Sequence, residues 1–133
     1  MRVRLRIINE AKREENSIRG SLFIMLLHML KCKYQYDYPY KPSWRDSILN
    51  GFENLIGEFD KGIGKGSLYN SFYMKKFDLE GTYERAVKRA AVETKLPRST
   101  FPEYCEWSKK ELTDEDFIYS FIEEYGYGSN EKD

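Results

Sequence analysis

The chain is poor in the residues from which most chemical sites are built. Its 133 residues hold one histidine, one glutamine, two cysteines and four prolines, and its formal net charge is zero. Two cysteines, Cys32 and Cys105, are too few for a disulfide scaffold and fit a reducing compartment. Zero net charge argues against a dedicated nucleic-acid binder. There is also no long hydrophobic run. The longest, Leu22 to Leu30, covers about half of the ~20 residues that a bilayer-spanning helix needs. The opening MRVRLRIINEA has no apolar core of a signal peptide. The expectation is a soluble, cytoplasmic protein with no membrane partner.

Present instead are charge and aromatic rings: 33% of residues are Asp, Glu, Lys or Arg and 16% are Phe, Trp or Tyr. High charge, little Gln and abundant Tyr resemble the composition of thermophile proteins. The charges are segregated. Basic residues outnumber acidic ones ten to five over residues 1–50, whereas over 101–133 there are three basic and ten acidic. Such an imbalance helps the two ends pack together, or steers two copies of the chain toward each other.

Apolar spacing points to an all-α, up-and-down bundle of four main helices, over about 3–33, 44–59, 68–95 and 109–124, in a single domain covering 1–125. The central element contains SLFIMLLHML, apolar on nearly every side and therefore expected inside the bundle. A stripe from Leu5 through Ile8, Ala11, Ile18, Leu22, Met25 and Met29 carries that helix back to the start without a break. Gly20 within it invites close approach of a second helix. YQYDYPYKPS ends the helix, and Ser43 is expected to cap the next, with Trp44, Ile48, Phe52, Leu55, Ile56 and Phe59 on one face. DKGIGKGS is a flexible connection, not a phosphate loop: Gly64-Lys65 is followed by Gly66 and preceded by a helix.

Ser67 is expected to cap one long third helix, whose Ala86, Ala90 and Ala91 allow it to lie close to the first, and Leu96-Pro97 ends it. RSTFPEYCEW follows as an ordered loop anchored by Phe101, Tyr104, Cys105 and Trp107. Ser108 and Glu111 form a capping box for the last helix. Residues 126–133 have no apolar period and are expected to fray.

Few constellations invite a chemical role. His28 and Cys32 lie four apart on the first helix and point the same way, but a metal would need Cys105 and Glu93 or Glu103 to join them. The same pair makes a weak nucleophile dyad, because nothing orients the base on the thiol. Glu93 interrupts the apolar run AAVETKL and needs a partner if buried; Lys31, Lys33, His28 and the Trp44 indole are the candidates. Tyr34, Tyr36, Tyr38 and Tyr40 form an aromatic loop suited to docking a partner or the protein's own core.

Taken in order, LLHMLKCKYQY, SWRDSI, SL with YERAVKRAAVETKLP, and FPEYCEW with DEDF downstream resemble the bacterial family known as domain of unknown function 29, over about Ser17 to Phe117. The resemblance implies a small helical bundle in which His28, Lys31, Tyr34 and Gln35 fall on a His-Leu-Leu-Lys-like segment before a Tyr-Gln pair. It implies no activity. The chain departs from the family at Cys32, where Trp is common, at Glu106, where Pro is common, and at Lys95, where a helix-ending Gly is common. Members usually carry more helix before the matching region, so a second copy is expected to cover the face left open.

The polar cluster to examine is His28, Gln35, Trp44 and Glu93, with no catalytic, cofactor or metal site assigned. The leading expectation is a non-enzymatic, self-associating interaction or structural module, as a homo-oligomer or with an unidentified protein partner. The alternatives are a nucleic-acid-linked accessory protein, such as the small partner of a toxin pair, and a metal-dependent enzyme at His28 and Cys32.

Overall fold

The protein is described by a computed structural model covering residues 2–63 and 78–131, with side chains from 18–58 and 78–131. It is an all-α bundle with no strand among the described residues. Among the described residues its helices are α1 (Arg2–Tyr34), α2 (Pro42–Ile63), α3 (Leu79–Thr94), α4 (Lys109–Leu112) and α5 (Glu115–Tyr125), with a 3-10 turn at Arg98–Thr100.

The apolar run of α1 is the centre. Leu22, Met25, Leu26, Met29, Leu30 and Cys32 are all almost fully buried, each removal from water contributing roughly 1.5–3 kcal/mol for the larger side chains. α2 runs back along α1. At one end Trp44 lies under the Lys31 ammonium, and further on Gly51 meets Ser21 and Met25. A Cβ at Gly51 would stand 2.7 Å from Met25 Cγ and 3.0 Å from the Ser21 carbonyl oxygen, so glycine sets how closely these helices approach. Gly20, expected to play that part, has open space around it, because it borders the cleft between α1 and α2 and not their closest contact. α3 lies on α1 through Ala86, Val87 and Ala90, all fully buried, as their small size allows. Buried Tyr83 keeps its hydroxyl satisfied by donating to the Pro102 carbonyl at 2.7 Å.

Several boundaries differ from the sequence expectation for physical reasons. α2 starts at Pro42, whose fixed φ and missing N–H suit the first helical position, so Ser43 is not the cap. A third helix unbroken from residue 68 to 95 does not form, since Asp78 is non-helical and its side chain caps α3 by accepting from the Gly81 N–H; residues 68–77 lie outside the described part. The last helix is two. Ser108 and Glu111 form the full capping box of α4, the helix stops at Thr113, and Asp114 caps α5 anew. Tyr104, expected as an anchor, is 68% exposed, while Phe101 and Trp107 are buried.

The segment after α5 does not fray over residues 126–131. Ser129 and Asn130 donate backbone N–H groups to the Tyr38 and Pro39 carbonyls at 3.3 and 3.1 Å, which fastens it along the α1–α2 loop. One Glu131 oxygen accepts from the Lys41 N–H at 3.2 Å, the Gly128 N–H at 2.6 Å and Arg45 Nη1 at 2.8 Å. Those donors, the Arg45 guanidinium foremost, hold the Glu131 carboxyl below the ordinary range. Polar bonds replace the apolar period the sequence lacks here.

Beneath this segment sits Lys41, only 1% exposed. Its Nζ donates to the carbonyls of Cys32 at 3.0 Å, Tyr36 at 3.0 Å and Tyr125 at 3.2 Å. Cys32 and Tyr125 lie in the last turns of α1 and α5, where carbonyls have no partner within the helix and a positive charge is favoured. One ammonium thus joins two helix ends.

Two outcomes follow for stability. Lys41→Met keeps most of the length of the side chain but removes the donor from one buried and two part-buried carbonyls; it should cost about 2–4 kcal/mol in urea unfolding. Lys95 follows α3 with φ 61°, the left-handed region that disfavours a Cβ. Lys95→Gly should therefore stabilise by about 0.5–1 kcal/mol in the same measurement.

Candidate functional site

The four candidate residues do not line a common pocket; three are connected through a fifth, Lys31. In the last turn of α1, Lys31 Nζ donates to Glu93 Oε1 of α3 at 2.9 Å and stands 4.9 Å from the Trp44 ring of α2. The other Glu93 oxygen accepts from Arg89 Nε at 2.5 Å, one helical turn away. Trp44 in turn stacks on Tyr38 of the loop, with ring centroids 4.8 Å apart. Burial pushes the Glu93 carboxyl up, but the hydrogen bonds from Arg89 and Lys31 and the Lys31 charge outweigh it, so the group is held below its ordinary value. Of the partners considered for Glu93, Lys31 is the one the structure supplies.

His28 faces the same region without joining it by a hydrogen bond. Its Nδ1 lies 2.8 Å from the Ile24 carbonyl, which can only accept, so the ring proton sits on Nδ1. Burial lowers the His28 pKa and the Lys31 charge adds to this, while the Ile24 hydrogen bond and the Glu93 charge oppose it. Gln35 takes part through its backbone: its N–H donates to the Lys31 carbonyl at 3.0 Å and its carbonyl accepts from the Tyr38 N–H at 3.2 Å, closing the end of α1.

The nucleophile arrangement lacks the activated thiol it needs. Cys32 is fully buried and burial pushes its thiol up to about 12. Burial likewise pushes Cys105 up to about 12, and its Sγ donates to the Trp107 carbonyl at 3.4 Å. A thiol is a good nucleophile only as the thiolate, and neither group favours that form near neutrality. Among the described residues, no three His, Cys, Asp or Glu side chains are placed to share an ion.

A second clasp joins three residues that the sequence marks separately and does not connect. Lys33 Nζ and the Tyr34 hydroxyl both donate to Glu106, one to each carboxylate oxygen, and the Lys33 ammonium lies 5.5 Å from both the Tyr34 and Tyr125 rings. Burial, followed by the bond to Glu106, raises the Tyr34 pKa and keeps its hydroxyl protonated. The signal was available: Glu106 is a departure from the family resemblance, and it is here that the loop after α3 is fastened to α1. The bonds that tie Lys41 and Arg45 to Tyr125, Gly126 and Glu131 had no local pattern, since they span 81 to 90 positions.

Two open clefts mark the described surface. One of about 880 Å³ is lined by Glu80, Glu84, Arg98, Phe101, Glu103 and Tyr104. A smaller one of about 400 Å³ lies between α1 and α2, around Ile24, Ser47, Asn50 and Asn54. Neither contains His28, Gln35, Trp44 or Glu93.

The fold and these clasps define a small helical bundle whose best-placed polar groups hold its own helices together. The family model of the domain of unknown function DUF29 matches residues 7–118, and the chain belongs to that family. No curated protein and no solved structure matches the chain. Among the described residues no helix is long and apolar enough to cross a membrane.

The pH dependence follows from His28, which faces Lys31 and Glu93. Because its folded pKa lies below the unfolded value of 6.5, the unfolded chain binds the proton more readily. Stability is therefore fully present above 6.5 and declines as pH falls from 6.5 toward the folded pKa. His28→Leu should flatten that part of a plot of urea midpoint against pH.

Proposed function

We propose that this chain acts as a single-domain, non-enzymatic interaction or structural module that associates with itself. The observation that carries this reading is the division of labour among its side chains. The groups best suited to chemistry are engaged internally: Glu93 by Lys31 and Arg89, Glu106 by Lys33 and Tyr34, Glu131 by Arg45, and Cys32 by burial. Large apolar or aromatic side chains are left outside, among them Val92 at 75%, Tyr36 at 74% and Tyr119 at 52% exposure. Exposed apolar groups on a highly charged surface suit contact with another protein.

The internal pairing also bears on the nucleic-acid alternative. Lys31, Lys33, Lys41 and Arg45, part of the basic surplus in the first 50 residues, already serve carboxylates or carbonyls of this chain. That supports reading the surplus as an internal fastening more than as a phosphate groove. Both cysteines are free thiols, which fits a reducing compartment such as the cytoplasm.

Multi-angle light scattering over a protein concentration series tests the proposal. A mass that rises from one chain toward a multiple of it is the expected result. A mass fixed at 15.9 kDa throughout would refute self-association.

A further inference from the structure

Two helix faces of opposite charge stand on this molecule. On the outer side of α3, Arg85, Lys88 and Arg89 precede the 75% exposed Val92, and Lys95 follows it. On the outer side of α5, Glu115 and Asp116 precede the 52% exposed Tyr119, and Glu123 and Glu124 follow it. Each face thus flanks one exposed apolar side chain with charge of a single sign. At 1.5 Å per residue both span roughly 15 Å, so the charges and the central apolar groups can be brought into register. The three acids on α3 do not reverse its sign: Glu80 accepts from the Cys105 N–H at 3.3 Å, Glu84 lies 3.5 Å from Arg98, and Glu93 is held by Lys31 and Arg89.

From this complementarity we infer that a second copy of this chain docks its acidic α5 face on the basic α3 face of the first. The inference rests on the self-association proposed above and names the surface. Neither face can pair with itself, because like charges would be opposed. A two-fold dimer pairing α3 with the partner's α5 makes the contact twice, satisfying both faces and closing the assembly. The central Val92 and Tyr119 supply apolar contact, and the charges around them set orientation and steer encounter.

Sedimentation of the full chain with charge-reversed variants tests the surface. Lys88→Glu and Glu123→Lys alter exposed residues, so circular dichroism should be unchanged for both. Each single variant should weaken self-association roughly tenfold at low salt, and the double variant should recover most of the loss because the reversed charges face each other again. Raising salt from about 0.05 to about 0.5 M should weaken the wild type while affecting the single variants less. Self-association that is indifferent to both reversals and to salt would overturn this surface while leaving the self-association reading intact. A strict monomer at every concentration would overturn both.

Discussion

The bundle depends on a buried ammonium group. Removing a lysine charge from water costs several kcal/mol unless hydrogen bonds replace its hydration, and Lys41 has an acceptor for each of its three N–H donors. Those acceptors come from the end of α1, the loop that follows it, and the end of α5. Moving any of the three would strand a charge in the interior, so the positions of both chain halves are coupled to one side chain. The backbone N–H of the same residue donates to Glu131, which extends the coupling to the segment after α5.

Around this point the protein repeats one device: a cation of the first half meets an anion of the second. Lys31 meets Glu93, Lys33 meets Glu106 and Arg45 meets Glu131. Aromatic rings lie against these cations, Trp44 against Lys31, Tyr34 and Tyr125 against Lys33, and Tyr127 against Arg45 at 4.3 Å. Each pair is half-sheltered, and exposed pairs of this kind contribute only about 0–1 kcal/mol each. Their common effect is to fix the docking of the loop after α3 and the end of the chain, neither of which has a long apolar face. The segregated charge of the sequence is thereby accounted for in large part within one molecule. What remains outside, on α3 and α5, is available to a neighbour.

The polar residues singled out from the sequence fare unequally, and the reasons differ. Glu93 was legible because a carboxylate inside an apolar run needs a cation, and Lys31 was among the few in reach. Trp44 joins Glu93 through Lys31 and not directly, which spacing could not express. The His28 ring bonds the Ile24 carbonyl, and Gln35 contributes only its backbone groups to the end of α1. Lys41, lying between two prolines and a run of tyrosines, reads as an ordinary loop lysine; its three carbonyls, two from just upstream and that of Tyr125 from the far end of the chain, make it an interior residue.

The sequence by itself determined the helical class, the central place of Ser21 to Tyr34, the capping box at Ser108 and Glu111, and membership of a family through a series of motifs. These are properties of short stretches: periodicity, capping chemistry and apolar runs act over a few turns and can be read there. The tertiary structure alone decided that Gly51 and not Gly20 sets the closest helix approach, that residues 126–131 lie fastened against the α1–α2 loop, and that Lys41 is buried. Each of these depends on which groups, remote in sequence, come within hydrogen-bond or van der Waals distance. Local patterns contain no term for such partners.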